Sequence, residues 1–169
     1  MKKVWVVSDT HFSHTNIIKY CQRPFHTAEE MNNKIRDNWN KVVGKEDIII
    51  HLGDFGFVDA EFVDSLNGEI ILIKGNHDTG KIKRLFNQMY KNIRLTMPCY
   101  TKVFFSHKPI QRGEFKQLAV DVNFHGHTHN HHMNYDGYVN HSVDVSDFTP
   151  VLLIDGYDKL LKVEFDIRR

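Results

Sequence analysis

Two cysteines in 169 residues, Cys21 and Cys99, are too few for a disulfide scaffold and do not stand at the spacing of a zinc-binding pair. They read as ordinary thiols of a reducing compartment, so the cytoplasm is the expected location. Charge of one sign is also missing. Lys and Arg total 22 against 21 Asp and Glu, a formal net charge of +1, so no long-range field draws the chain to nucleic acid or an anionic membrane. Long apolar runs are absent too. The first, Val4-Trp5-Val6-Val7, stops at Ser8-Asp9, far short of a signal-peptide core or a membrane span, and reads as a strand. There is no internal repeat, linker or low-complexity segment. With 41% hydrophobic and 25% charged residues, a single soluble globular domain over residues 1–169 is expected.

Apolar runs rich in Val, Ile and Phe predict strands at 4–7, 48–51, 70–73, 103–105, 119–124, 151–154 and 160–165. The first three are continuous, which suits strands covered on both faces. Helices are expected over about 27–42, 59–66 and 79–90. The first opens with Thr27 as cap and Glu30 as its capping-box partner, and carries Met31, Ile35, Trp39 and Val42 as a core stripe. The alternation of strand and helix predicts an α/β layered core with parallel pairing. The C-terminal third is strand-rich, with Asp136-Gly137 and Asp155-Gly156 as hairpin signals, and predicts a mixed sheet or a second β layer.

Histidine is the compositional excess, at twelve residues, and many of them fall in five polar clusters. These are Asp9-Thr10-His11, Gly53-Asp54, Gly75-Asn76-His77-Asp78, Ser106-His107 and Gly126-His127-Thr128-His129. The first three begin where a strand ends, the rim on which α/β sheets bind ligands. Carboxylates, imidazoles and one amide form a mixed N/O donor set suited to Mn, Fe or Zn. Asp9 and His11 place two ligands on one loop, and His127 and His129 place two more. Asp54 is the natural bridge between two cations, because its two oxygens can serve both, while Asn76 offers a neutral oxygen. Two Asp against two divalent ions and one shared hydroxide leave a positive site that attracts a phosphate ester. His77, beside Asn76, suits a general acid or a stabiliser of developing charge, and Asp78 either orients it or caps the next helix.

In content and order, DTH, GD, GNHD, a lone His before Lys-Pro, and GHTH resemble the calcineurin-like metallophosphoesterase family. The extension Asp9 to Asn16, followed by Arg23-Pro24-Phe25, is similar to a small phage and bacterial subgroup. The resemblance implies a four-layer α/β sandwich of two mixed sheets flanked by helices. It implies two divalent metal ions, with Mn favoured and Fe, Zn or Ni as alternatives. Asp9, His11, Asp54 and His129 would hold one ion, and Asp54, Asn76, His107 and His127 the other. His77 would be catalytic, and the hydroxide between the ions would be the nucleophile.

Two departures narrow the reaction. Protein Ser/Thr phosphatases of this superfamily carry GDxxDRG, whereas Phe57 stands here in place of the second Asp and the Arg is missing. A C-terminal capping domain of the kind expected in the double-strand-break nucleases is also lacking. A phosphodiesterase on small nucleotide-like esters is therefore the expected function, with a phosphomonoesterase or nuclease as the alternatives within the class. Outside it stand a catalytically silent scaffold and a metal buffer built on His125–His132. The expected partner is a small phosphate ester, with no protein partner and no membrane. His14, Arg23, Asn76 and His77 are candidate substrate contacts. Phe12, Phe55, Phe57 and Phe148 are either a base-stacking rim or core.

Overall fold

The structure, a computed structural model, describes residues 1–86, 89–131, 133, 135–160 and 162–166. From the N-terminus the elements are β1 (Lys3–Val7), α1 (Thr15–Tyr20), α2 (Ala28–Val42), β2 (Ile48–His51), α3 (Ala60–Asp64), β3 (Glu69–Ile73), α4 (Lys81–Leu85) and β4 (Met89–Tyr90). They continue as β5 (Asn92–Thr96), β6 (Lys102–Ser106), α5 (Glu114–Leu118), β7 (Val122–His125), β8 (Tyr138–Asn140), β9 (Val151–Asp155) and β10 (Lys162–Asp166). Among the described residues no helix is long and apolar enough to cross a membrane.

Two mixed five-stranded sheets form the frame, in the orders β4-β3-β2-β1-β9 and β10-β5-β6-β7-β8. In the first sheet β1 to β4 run parallel and β9 lies antiparallel to β1. In the second, β10, β5 and β6 pair antiparallel, while β6, β7 and β8 are parallel. The period-two alternation of strand side chains sorts them into two cores. Val4, Val6, Ile48 and Ile50 face Ile93, Leu95, Val103 and Phe105 between the sheets. Trp5, Val7 and Ile49 point the other way, onto Met31, Ile35 and Trp39 of α2. This is the layered α/β sandwich expected from the sequence. Each large side chain of the α2 stripe contributes about 1.5–3 kcal/mol by burial.

The start of α2 follows its sequence signal with one shift. Thr27 Oγ1 accepts from Glu30 N at 3.1 Å, but the Glu30 carboxylate takes the N–H of His26 at 2.8 Å, one residue ahead of the cap. The helix expected over 79–90 is corrected. Only Lys81–Leu85 is helical, and Met89–Tyr90 pairs parallel with Leu72 and Ile73 as an edge strand. Leu85, Phe86 and Met89 still pack on the helix-side core, so their apolar character is used in another conformation; residues 87 and 88 lie outside the described part. The strand expected from 119 begins at Val122, because Ala119 ends α5 in the left-handed region at φ 52°. The last strand begins at Lys162, and the expected residue 161 is outside the described part. Neither Asp-Gly pair closes a hairpin. Asp136-Gly137 leads into β8, which is parallel to β7, and Asp155-Gly156 carries the chain from one sheet to the other.

Candidate metal centre

Loops at the strand ends are laced to one another by their backbones. Asp9 N donates to Gly53 O, His11 N to Asp54 O and Phe12 N to Phe55 O, at 3.0, 3.0 and 2.9 Å. Gly126 N donates to His107 O at 3.0 Å, and His127 N donates to Asp9 Oδ2 at 2.9 Å, which joins the two halves of the chain. Gly126 has to be glycine: a Cβ there would collide with Ser8 Oγ and Asp9 Oδ2. Five of the seven expected ligands, Asp9, His11, Asp54, His127 and His129, hold φ between 49° and 67°. A non-glycine residue in that region costs about 1–2 kcal/mol, and strain of this kind collects where side-chain aim matters more than backbone comfort.

The expected ligands gather in two adjoining groups. In one, donor atoms of Asp9, His11 and His129 lie within 4.8 Å of one another; in the other, those of Asp54, His107 and His127 do so. Asp54 stands at the boundary. Its Oδ2 is 3.6 Å from His11 Nε2 of the first group and 3.4 Å from His107 Nε2 of its own. Both imidazole nitrogens, and Asp9 Oδ1, are buried without a hydrogen-bond partner among the described residues. Buried donor atoms left unpaired at one place are costly in a protein and are what a cation needs. The donor set therefore fits a divalent metal centre. Asn76, exposed, lines a cavity together with His107, on the side of the second group.

The outer partners turn the histidines toward this centre. His107 Nδ1 meets Leu52 O at 2.9 Å, and His129 Nδ1 meets Asp144 Oδ2 at 2.8 Å, so in each ring Nε2 is left for a ligand. His11 Nδ1 meets His14 Nδ1 at 3.1 Å. If His11 were to hold an ion through Nε2, its Nδ1 would carry the proton, His14 Nδ1 would accept it, and His14 Nε2 would be left as an N–H donor. Asp144 carried no role in the sequence reading. Cys21, read as an ordinary thiol, lies within 4.8 Å of donor atoms of His129 and Asp144.

Arg23 has a different place from the one expected. It is buried, forks onto Asp144 and donates to Asp9 O and Thr10 O at 2.7 and 3.0 Å, so its guanidinium fixes the first loop and is not offered to substrate. Asp78 neither orients the His77 ring nor caps a helix. Its buried carboxylate accepts the backbone N–H groups of Asp54, Phe55 and Gly75, each at 2.8 Å, and binds the second loop to the third. His77 N donates to Asp54 Oδ1 at 2.8 Å, and its ring lies 5.5 Å from that of His11 and 5.8 Å from that of His14. Phe12, Phe55 and Phe148 are core, whereas Phe57 is 50% exposed with its ring 5.2 Å from His14. In the tract 125–132, His125 is buried with Nδ1 on Gly126 O, and His132 lies outside the described residues.

Electrostatics follow from burial and from these contacts. Burial pushes Asp9 up and His11 down. Burial would raise Asp54 and Asp144 too, but the His107 imidazole beside Asp54, with the His77 N–H on its other oxygen, and hydrogen bonds from His129 and Arg23 to Asp144, hold both well below the usual carboxylate range. The partners respond in kind. Burial would lower His107 and His129, yet the Asp54 contact raises His107, and Asp144 and Cys21 together with nearby Asp9 push His129 up to about 10. The neighbouring carboxylates thus favour protons on these two rings, and a metal ion binding there competes with them.

Two sets of carboxylate and imidazole donors, adjoining at Asp54 at the strand ends of a two-sheet α/β sandwich, make this a scaffold able to hold divalent metal ions. Comparison narrows the class. Residues 1–145 match the family model of the calcineurin-like phosphoesterase superfamily domain, and the chain belongs to that superfamily. Metal-dependent phosphoester hydrolysis is the chemistry that the family brings. An uncharacterized protein of Methanocaldococcus jannaschii is 36% identical over 171 residues, covering 90% of this chain and 88% of the relative. The gene 66 protein of Mycobacterium phage L5 is 26% identical over 163 residues, covering 76% and 78%. The crystal structure of a protein of unknown function from Aquifex aeolicus superposes with a TM-score of 0.76 at 25% identity, covering 90% of this chain and 96% of that one.

Proposed function

We propose that this protein is a dinuclear metal-dependent phosphodiesterase acting on small nucleotide-like phosphate esters. The observation that carries the reading is Asp54 Oδ2, placed 3.6 and 3.4 Å from two unpartnered imidazole nitrogens that belong to different donor groups. Asp9, His11, Asp54 and His129 would hold one ion, Mn by preference, and Asp54, Asn76, His107 and His127 the second. Bound divalent ions supply activation of water at neutral pH and neutralisation of charge on the phosphoryl oxygens.

The remaining work falls to this chain's side chains. His77 is tethered through its backbone N–H to Asp54 Oδ1, so its exposed ring is held at the edge of the donor groups. From there it donates a proton to the leaving oxygen. His14, whose Nδ1 is engaged by His11, offers a neutral Nε2–H donor to a phosphoryl oxygen. Phe57 presents an aromatic surface beside His14 on which a planar group can stack, in the position that protein phosphatases fill with an acid. That substitution favours a compact, aromatic ester over a phosphoprotein. Both cysteines are free, and the cytoplasm is the compartment this reading assumes.

Hydrolysis of bis(p-nitrophenyl) phosphate with added Mn tests the proposal, with p-nitrophenyl phosphate as the monoester control. Wild type is expected to prefer the diester, and His77→Ala to lose about 10²–10⁴-fold in kcat. Asp54→Ala should lose activity and metal together. A wild type without turnover, or full turnover by either variant, contradicts it.

A further inference from the structure

Beyond the donor groups, on the side of His107 and Asn76, opens a cavity of about 500 Å³. Four cations line it: Lys74, Lys91, Arg94 and Lys108. Two of them are fixed next to the centre by the chain itself, since Lys74 precedes Gly75-Asn76 and Lys108 follows His107. The three lysines are exposed, and none of the four forms an ion pair among the described residues. Arg94 lies over the Phe104 ring at 5.6 Å, which holds its guanidinium against the wall. The two carboxylates of the lining, Glu114 and Asp166, accept from neutral donors instead, Gln111 N at 2.7 Å and Asn92 Nδ2 at 3.0 Å. A chain with a formal net charge of only +1 thus sets four cations against two carboxylates beside one end of the donor groups, with Arg94 also facing Glu164 across the β5–β10 pair.

We infer that this cavity binds a second phosphate group, so that the natural substrate carries at least two phosphoryl groups, one reacting and one held among Lys74, Lys91, Arg94 and Lys108. This rests on the phosphoesterase reading for the reacting group. Several converging cations around a cavity this size suit a dianionic, multiply accepting group, and exposure keeps the attraction sensitive to salt.

Isothermal titration of metal-loaded protein with adenosine 3′,5′-bisphosphate and with adenosine 5′-monophosphate tests it. Wild type should bind the bisphosphate about tenfold more tightly, near 1.4 kcal/mol, and lose that margin at high salt. The triple variant Lys74→Ala, Lys91→Ala, Lys108→Ala should bring the ratio near one, while the corresponding triple Lys→Arg variant keeps it. Equal affinities in wild type, a margin that survives the alanine triple, or one lost equally in the arginine triple overturns the inference. Binding is read without turnover. A protein inactive on bis(p-nitrophenyl) phosphate therefore counts against the proposed function, and the affinity ratio still decides the second phosphate site.

Discussion

Arg23 and Asp144 stand 121 residues apart and meet in a two-pronged ion pair, Nε to Oδ1 at 2.8 Å and Nη2 to Oδ2 at 2.9 Å. The guanidinium also holds the carbonyls of Asp9 and Thr10, and the carboxylate also accepts from His129 Nδ1 and Ser142 Oγ. One buried pair thus connects the loop bearing Asp9 and His11 to the loop bearing His129. Removing one partner leaves the other charge buried alone, the costly case for an ion pair of this kind.

Asp144→Asn should therefore weaken metal binding at Asp9, His11 and His129 before it affects the other group. Loss of an outer carboxylate partner typically costs about 10–100-fold in metal affinity. Elemental analysis after equilibration in a buffered metal solution is expected to fall from two ions per chain toward one. Arg23→Lys should act in the same direction, because a lysine cannot reproduce the fork. Two ions retained in both variants would show that the pair does not set the site.

The gathering of Asp9, His11, Asp54, His107, His127 and His129 was legible because each signal is local: a polar cluster directly after an apolar run. The parallel half of the first sheet was legible for the same reason, through β1, β2 and β3. What escaped is non-local or short. Arg23 and Asp144 look like surface charges until the fold brings them together. Asp78 sits next to His77 in sequence, yet its acceptors serve the backbone of Asp54 and Phe55. The left-handed φ of Asp9, His11, Asp54, His127 and His129 leaves no mark in a sequence without glycine there. Elements of two to six residues, such as α1, α5, β4 and β8, gain their stability from tertiary contacts and not from propensity.

Asp78→Asn is expected to destabilise the protein by at least about 2 kcal/mol, since a carboxylate accepting several buried N–H groups is replaced by an amide that must turn a donor toward one of them. Urea unfolding should show the loss with an unchanged m-value. Because Asp54 and Gly75 are both held by Asp78, kcat should fall as well, even though the side chain touches no reacting atom.

Phe57→Ala should separate recognition of the base from chemistry. Base–aromatic stacking is worth about 1–3 kcal/mol, so KM for a nucleotide p-nitrophenyl ester should rise roughly tenfold. For bis(p-nitrophenyl) phosphate, whose small rings reach less far over the rim, kcat should stay near wild type. An equal KM effect on both esters would assign Phe57 to rim packing instead.

His141 makes the acid limit of stability measurable away from the donor groups. It is buried against Phe124, with ring centroids 4.5 Å apart, and neither ring nitrogen has a partner among the described residues. Burial first, and then the charge of His125, lowers it from 6.5 to about 4. Between those values the unfolded chain binds a proton that the folded one refuses. Stability is thus full above about pH 6.5 and is lost as pH falls toward about 4. His51 adds to the same trend: burial lowers it to about 3, with its nitrogens engaged by Thr10 Oγ1 and Gly53 N. His141→Leu, of similar size and without a titrating group, should flatten this part of the profile by on the order of 1–3 kcal/mol. Urea midpoints measured across the pH range check it, with the His51 contribution left as the residual slope. A variant whose profile still runs parallel to wild type would mean that His141 is not the proton acceptor that acid unfolding has to charge.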